Sequence, residues 1–403
     1  MKRRSKLPLL AALPVFVLTV VIAAPLILGS HPVRWQNGSA MPHLVVGDQS
    51  KKADPASTSP TNTQPTGRGV RVDRIWKPGM PQWGVQTYWE ENRKQSNAYI
   101  ERKAGELADY LIGLHANAVS ISFPLYTGGI TSTTISRGAK TPSPQRMARV
   151  LQVFNDAGLR TTIRPIMDEK SLNPPRGWRG SIEPASRGAW FVSYSRFLAP
   201  YLQMAQKSKV TTVVVGTELN SMEGDPHWKS LVSKAGKIYS GEIAYDANWD
   251  NYVAGHVNMP VDHLGVDAYF PIKVPDTASV NTLVAGWNTW LDKKKRGPLP
   301  KIVLSEAGIG AMNGAYHAPG DFYTRRAVNP NVQANWYTAI CRIVQQRKMS
   351  GVYWWSIYFD DDPNTPPDDR AASRLDFAGR PRSEKAIRTC FTSDYPGPGT
   401  HND

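Results

Sequence analysis

Short apolar runs and amphipathic segments alternate along the chain from about residue 73 onward. The apolar runs are rich in β-branched and aromatic residues, and they predict strands covered on both faces at 82–89, 117–126, 160–168, 211–218, 241–248, 262–271, 301–308 and 351–359. Helical patterns follow at 97–115, 143–158, 189–206, 227–239, 280–294, 332–346 and 383–391. The second of these helices carries a full set of end signals, with Ser143 as N-cap, Pro144 at the first helical position and Gly158 as the stop.

Eight strands, each followed by a connection that is helical or could be, predict an α/β fold of the (β/α)8 (TIM) barrel type. Barrels of this kind use about 250 residues or more as a single domain. An open doubly wound sheet would need a glycine-rich phosphate loop after the first strand. The sequence QWGVQTYWEENR at that place supplies none. We therefore assign residues 73–392 to the barrel and residues 393–403 to a disordered tail.

The N-terminus predicts a membrane anchor. The basic stretch MKRRSK precedes an uncharged apolar segment from Leu7 to Gly29, which is long enough for a bilayer-spanning helix of about 20 residues. The basic flank favours a cytoplasmic N-terminus, with the folded body outside the cell. We expect residues 1–29 to be an uncleaved signal-anchor; cleavage near Ala23–Ala24, giving a secreted protein, is the alternative. Residues 30–72 are rich in Pro, Ser and Thr, and predict a disordered linker.

Composition narrows the class of partner. The formal net charge is +15, but the basic residues are scattered, and outside the extreme N-terminus no Lys/Arg run is interleaved with aromatics. This argues against a nucleic-acid binder and favours a solvated basic surface near an anionic envelope or polymer. Thirteen tryptophans favour flat ligand-binding surfaces. No HExxH motif and no Cys/His cluster occurs, so we expect neither a metal nor an organic cofactor.

The two cysteines, Cys341 and Cys390, permit a disulfide in an exported chain. In a barrel they lie on the last two outer helices, which are neighbours. Two buried free thiols are the other interpretation.

Two strands end in a carboxylate. TTVVVGTELN places Glu218 after the fourth strand, and KIVLSEAGIG places Glu306 at the end of the seventh. The carboxyl ends of the strands form the mouth of a barrel, where catalytic groups lie. Each glutamate alone could equally cap a helix or pair with an arginine. A pair of carboxylates about 5 Å apart in one mouth instead predicts glycoside hydrolysis with retention of configuration.

These motifs resemble glycoside hydrolase clan A. The stretches GTEL, VDAYFP, SEAGIG and YWWSIY, in this order on strands four, six, seven and eight, are most similar to family 113, whose members act as β-1,4-mannanases. The resemblance spans Trp83 to Phe391. It implies that Glu218 is the acid/base and Glu306 the nucleophile of a double displacement.

The resemblance also implies a substrate pocket. Tyr269, on strand six, is expected to point its hydroxyl at the nucleophile, and Trp354 or Trp355 to floor a sugar subsite. Thr217 stands where the clan usually has an asparagine that binds the sugar 2-hydroxyl. Further contacts are expected from Arg164 on strand three, Asn248 at the end of strand five, and Trp89 after strand one.

Other residues near the strand ends have a structural and a functional interpretation. Asp267 is expected to be a buried structural partner, and the acidic run 360–362 a solvated loop rather than a calcium site. Asp168 and Glu169 end strand three and are candidate substitutes if Glu218 proves structural. Several loop aromatics are expected on the mouth side, either stacking on sugars or packing the loops: Tyr88, Trp89, Trp178, Trp190, Trp228 and Trp249.

Together these features predict a membrane-tethered retaining glycosidase that cleaves a β-linked polysaccharide, with mannan favoured by the resemblance. Two alternatives remain open. One is an inactive barrel that binds envelope polysaccharide, and the other is a transglycosylase that uses the same carboxylates.

Overall fold

The computed structural model describes residues 70–168, 170–172, 177–322, 324, 326–367 and 374–399. The predicted anchor, nearly all of the predicted linker, Glu169 and the last four residues lie outside this set. Among the described residues, no helix combines the length and the apolar character that crossing a membrane requires.

Eight parallel strands form a closed barrel in which each strand pairs with the next along the chain. The last strand pairs with the first, with Gln82 opposite Gly351, and this pair closes the sheet. The strands are β1 (Gln82–Tyr88), β2 (Ala118–Leu125), β3 (Arg160–Met167), β4 (Thr212–Thr217), β5 (Glu242–Asn248), β6 (His263–Asp267), β7 (Ile302–Ala307) and β8 (Gly351–Tyr358). The barrel prediction is confirmed.

Helices follow the strands around the outside. In the described part of the chain they are α1 (Asn97–Gly113), α2 (Pro144–Asp156), α3 (Arg187–Lys207), α4 (His227–Gly236), α5 (Trp249–Ala254), α6 (Val280–Lys294), α7 (Pro330–Gln346) and α8 (Pro381–Phe391). Serine side chains cap the N-termini of α1, α2, α3 and α6 by accepting a bond from a backbone N–H of the first turn. Their positions in sequence fix where these helices begin.

Two elements differ from the sequence prediction. Strand β6 ends at Asp267 rather than at 271, because only the Ala268 N–H still bonds across to Glu306 and Pro271 has no N–H to donate. Tyr269 therefore lies beyond the strand. The short helix α5 was not predicted. It begins directly after β5, where the Asn248 side chain accepts from the Asp250 N–H, and it ends at Gly255 with a φ of +80°.

The barrel interior is unusually polar. Such interiors are commonly filled by branched apolar side chains, but here the inward positions enclose a cavity of about 30 Å³ lined mainly by polar residues, among them Gln82, Gln86, Ser120, Arg160, Thr162, Thr212, Asp246, Ser305 and Tyr353. The alternate positions, such as Ile163 and Val213, join the hydrophobic core shared with the helices. The apolar core thus lies outside the sheet, and the inside is left free for charged groups.

A disulfide joins Cys341 of α7 to Cys390 of α8, which confirms that prediction. Beside it, Phe391 stacks on Trp83 of β1, with ring centroids 5.5 Å apart. The last helix is thereby fixed against the strand pair that closes the barrel.

Candidate active site

Glu218 follows β4 directly and has a backbone conformation that is rare for a residue with a side chain, with a φ of +50°. Two hydrogen bonds hold it there: the Glu218 N–H donates to the Asp246 carbonyl at 2.8 Å, and the Leu219 N–H donates to the Tyr245 hydroxyl at 2.9 Å. Such strain costs of order 1–3 kcal/mol and is common at active sites. The Glu218 side chain is almost fully buried.

Glu306 lies in β7 where the pairing register shifts against both neighbouring strands. Its Oε1 forms an ion pair with Arg164 Nη1 at 2.5 Å. Its Oε2 accepts a hydrogen bond from the Tyr269 hydroxyl at 2.6 Å. Tyr269 thus holds Oε2 by a hydrogen bond and Arg164 attracts Oε1 by its charge, although Oε1 accepts no hydrogen bond within the described residues; together the two contacts fix the orientation of the carboxylate.

Arg164, fully buried on β3, binds three carboxylates at once. In addition to Glu306, its Nε bonds to Asp246 Oδ2 at 2.6 Å and its Nη2 to Asp267 Oδ2 at 2.5 Å. Ser305 donates a further hydrogen bond to Asp267 Oδ1 at 2.9 Å. Burial raises the pKa of Asp267 well above its usual value, and Arg164 only partly opposes this rise because its one positive charge is shared by three carboxylates. Repulsion from Glu306 raises the pKa further. Asp267 is thus the buried partner that the sequence predicted.

Arg179 holds the other glutamate. It comes from a 3₁₀ turn, Arg179–Ser181, in the connection from β3 to α3, and its Nε and Nη2 lie 2.9 and 2.6 Å from Glu218 Oε2. Burial raises the pKa of Glu218 to about 7; Arg179 opposes this and the charge of Glu306 adds to it. Since Glu306 contributes to this shift, the two carboxylates act on one another within a single site. No hydrogen-bond partner of Glu218 Oε1 is found among the described residues.

Asp168, at the end of β3, belongs to the same cluster. The Tyr88 hydroxyl donates to its Oδ2 at 3.1 Å. Burial raises its pKa to about 6 against the lowering effect of Arg179, and Glu306 adds to the rise. The site therefore holds a third titratable carboxyl, as the sequence suggested. Its neighbour Glu169 lies outside the described residues.

The sequence matches the model of glycoside hydrolase family 113 over residues 87–377. The chain belongs to this family. The match covers the segment from the end of β1 to just before α8, and so includes every side chain of the cluster described above. A glycosidase acts on a saccharide, so the cluster is the candidate active site of this family 113 protein.

Solved structures share the fold at low identity. A β-1,4-mannanase of family 113 has a TM-score of 0.65 at 18% identity, over 78% of this chain and 99% of that chain. The family 113 β-mannanase AaManA from Alicyclobacillus acidocaldarius, in complex with ManMIm, has a TM-score of 0.62 at 19% identity, over 79% and 99%. A GH5_18 protein from Streptomyces cattleya, in complex with Manb1-4GlcNAc, has a TM-score of 0.52 at 15% identity, over 78% and 82%. No curated protein matches the chain.

The remaining residues predicted for the pocket of this family 113 protein are placed as follows. Trp355 faces the barrel side, beside Tyr88 at 6.1 Å between ring centroids and 5.9 Å from the Arg164 guanidinium. Asn248 lies at the end of β5 and caps α5. Thr217 is buried, with its hydroxyl 3.5 Å from the Pro165 carbonyl of β3. Their contacts with a sugar remain predictions.

Two tryptophans need correction. Trp354 points away from the barrel axis, because successive side chains of a strand alternate, and its ring packs on Tyr337 of α7 at 4.5 Å. Trp89 is fully buried and stacks on Phe359 at 4.7 Å. Neither ring is accessible to a sugar, so both are removed from the predicted pocket.

Most of the aromatics expected on mouth loops also pack the protein instead. Trp190 lies in α3 and Trp228 in α4; both are fully buried, and Trp228 donates its indole N–H to the Met222 carbonyl at 2.8 Å. Trp249 packs on Trp290 of α6 at 5.2 Å. Trp178, in the same connection as Arg179, keeps partial exposure. Trp190, Trp228 and Trp249 therefore lie in helices and pack the protein rather than stack on sugars.

Sequence reasoning missed two residues of the site. Asp246 could have been found, because the alternation in GEIAYDAN puts it on the same face as Asn248. Arg179 had no such signal: it lies in the loop sequence NPPRGWRGS, where no periodicity shows which side chain turns inward. Among the described residues, no group of three or more His, Cys, Asp or Glu side chains is arranged to hold a metal ion.

Proposed function

We propose that this family 113 protein is a retaining glycosidase that cleaves a β-linked polysaccharide, with β-mannan the favoured class. Glu306 is the nucleophile and Glu218 the acid/base. The observation that carries the proposal is the contrast between the two carboxylates. Glu306 is held by Arg164 and Tyr269 through both oxygens, whereas the pKa of Glu218 is raised to about 7 by burial. Mannan is favoured because two of the similar structures are described as β-mannanases.

In the first step, a Glu306 oxygen attacks the anomeric carbon while Glu218 protonates the glycosidic oxygen, and the glycosidic bond breaks. The Arg164 ion pair holds Glu306 in place. The Tyr269 hydroxyl can shift its hydrogen bond from the attacking oxygen toward the sugar ring as the glycosyl-enzyme forms. A nucleophile held in this way loses little orientational freedom on attack.

In the second step, Glu218 takes a proton from a water molecule, and that water attacks the anomeric carbon and releases Glu306. Between the steps Glu218 is an anion in a buried site. Arg179, at 2.6 Å from Glu218 Oε2, stabilises this anion. We therefore assign Arg179 as a positioning residue that sets the proton affinity of the acid/base.

The test uses Glu306→Ala and Glu218→Ala with an aryl β-mannoside that has an activated leaving group, in the presence of azide. In Glu306→Ala, azide fills the space of the missing carboxylate and attacks from its side, so we expect the α-glycosyl azide. In Glu218→Ala, the glycosyl-enzyme still forms, and azide attacks from the opposite side to give the β-glycosyl azide. Without azide both variants should lose at least about 10³-fold in kcat.

Three results would contradict the proposal. Hydrolysis that survives Glu306→Ala excludes Glu306 as the nucleophile. Swapped azide products reverse the two assignments. Binding of β-glycans by the parent chain with no cleavage across mannan, glucan and xylan panels identifies an inactive binding barrel. Parallel reactions with a competing sugar acceptor reveal a transglycosylase, whose products are longer chains instead of new reducing ends.

We also propose that the barrel is exported and tethered to the cell membrane through Leu7–Gly29. The apolar N-terminal segment and the disulfide between α7 and α8, which requires an oxidising compartment, support this location. Membrane fractionation of expressing cells, followed by protease treatment from outside, checks it. Protein found wholly in the cytosol would contradict it.

A further inference from the structure

A basic cleft lies on the mouth face of the barrel, apart from the carboxylate cluster. It runs between the connection from β1 to α1 and the connection from β2 to α2, and the Glu91 N–H donates to the Lys140 carbonyl across it at 2.8 Å. The cleft has a volume of about 410 Å³ and is lined by Glu91, Arg93, Arg137, Thr141, Ser143 and Arg146. Three guanidinium groups therefore share one concave surface with a single carboxylate.

That carboxylate already has its partners. Glu91 is buried, forms an ion pair with Arg146 and accepts from the Ser143 N–H at 3.2 Å. It neutralises Arg146 alone. Within the described residues, Arg93 and Arg137 form no ion pair with any acid. The cleft therefore keeps a charge of about +2, focused by its concave shape.

The guanidinium groups of the cleft differ in how many of their N–H donors already have acceptors. Arg146 Nη1 donates to Asn97 Oδ1 at 3.0 Å, while its Nη2 is buried and has no hydrogen-bond partner in the described part of the chain. Arg137 lies close to the buried Tyr201 hydroxyl, which itself donates to the Pro142 carbonyl at 2.6 Å. Guanidinium groups bind phosphate and carboxylate in a forked geometry that an ordinary lysine surface does not offer.

The position of the cleft connects it to the proposed reaction. It begins three residues after Tyr88, whose hydroxyl bonds to Asp168 in the active site, and the charge of the adjacent Glu90 still acts on both groups. A polymer bound at the mouth can thus extend toward the cleft and place a substituent in it. A cleft for a neutral glycan would have no need of two unpaired arginines.

We propose that this cleft binds an anionic group, phosphate or carboxylate, carried by the polysaccharide substrate, and so selects charged over neutral glycans. The proposal rests on the proposed function for the identity of the polymer, but not for the binding of the anion. The first measurement is therefore calorimetric titration of the full chain with inorganic phosphate and with glucuronate at low ionic strength. We expect binding that weakens as salt is added.

The test variant is Arg93→Gln combined with Arg137→Gln, which removes the two unpaired charges and leaves the Glu91–Arg146 pair intact. The matched control is Arg74→Gln combined with Arg296→Gln, which removes the same charge from exposed positions preceding β1 and β7, at the opposite end of the barrel. Anion binding should weaken at least about tenfold in the test variant and remain within about twofold in the control.

The second measurement compares kcat/KM for a neutral β-glycan, a uronate-bearing glycan and a phosphate-bearing glycan. The charged glycan with the higher kcat/KM identifies the anion as carboxylate or phosphate. In the test variant, kcat/KM for that glycan should fall to the value for the neutral glycan, which should itself be unchanged. Failure of the parent chain to bind either anion, or equal binding by test and control variants, overturns the proposal even if hydrolysis is found. Anion binding lost only in the test variant supports the cleft even if no glycan is cleaved.

Discussion

Two buried arginines stand four residues apart on β3, inside the same barrel, and their surroundings differ in charge balance. Arg160, near the start of the strand, forms an ion pair with one carboxylate, Glu242, and donates further bonds to Thr212, Thr162 and Tyr353. The Trp76 ring covers it from below, with the guanidinium 4.6 Å from the ring centroid. Both terminal nitrogens of Arg160 therefore have acceptors, and one cation meets one carboxylate.

Arg164 lies four residues nearer the mouth on the same strand and faces three carboxylates. The two environments shift carboxyl pKa values in opposite directions. Burial works against ionisation of Glu242, but the hydrogen bond from His263 and the charge of Arg160 lower its pKa to about 2. Burial raises the pKa of Asp246, with Arg164 opposing and Glu306 adding to the rise. A balanced pair of charges such as Arg160 and Glu242 stabilises the barrel. An excess of carboxylates around one cation instead raises carboxyl pKa values, which is typical of sites where protons are transferred.

Exchanging each arginine for lysine is expected to give the largest difference between the two regions, in kcat for Arg164 and in the free energy of unfolding for Arg160. Arg164→Lys keeps a cation but can bind only one or two of the three acids, so Glu306 loses its fixed position and kcat should fall by about 100-fold or more. Arg160→Lys should keep kcat within about threefold and lower the free energy of unfolding instead, by about 1–3 kcal/mol. Steady-state kinetics and urea unfolding on both variants check this. Equal losses of kcat would show that the two arginines are not functionally distinct.

A smaller effect is expected in the pH dependence. Glu218 must be protonated to act as an acid, so kcat/KM should fall as pH rises through about 7, the value to which its pKa is raised. Arg179 lowers that pKa, so Arg179→Gln should move the basic limb of the profile to higher pH, by at least about half a unit. Arg187→Gln, which removes a half-exposed partner of Asp225, is the control and should leave the limb in place. A limb unchanged in Arg179→Gln would remove Arg179 from the mechanism.

The smallest effect concerns stability in acid. The folded pKa of Glu242, about 2, is below its ordinary value. Its contribution is therefore fully present above about pH 4.5 and is lost as pH falls toward 2. We expect the loss to be about 1–3 kcal/mol in the free energy of unfolding, measured by urea melts at pH 6 and pH 3. Glu242→Gln should flatten this dependence, whereas Glu101→Gln, in an exposed pair with Arg149, should leave it unchanged. A slope that persists in Glu242→Gln would assign the effect to another acid.

The sequence predicted the barrel because the apolar face of its strands is continuous and the serine caps are local signals. It also placed Glu218 and Glu306 at strand ends, since a strand end is visible as the end of an apolar run; their catalytic roles stay predictions. It could not predict which of Trp354 and Trp355 faces inward, because the register shift in β8 depends on the neighbouring strand. Arg179 reaches Glu218 through a loop whose path is set by tertiary contacts, and no local pattern encodes that path.

The disulfide between Cys341 and Cys390 lies beside the helix that packs on the strand pair closing the barrel. In a closed barrel, seven strand pairs join neighbours in sequence, and only the pair β1–β8 must wait for nearly the entire chain to be made. The covalent bond spans 49 residues, and by loop entropy such a crosslink disfavours the unfolded chain by about 4 kcal/mol. The disulfide therefore stabilises the part of the barrel next to the closing strand pair β1–β8. A preparation made under reducing conditions should lose rigidity first at this junction, before Glu218, which follows β4 on the opposite side of the barrel, is disturbed.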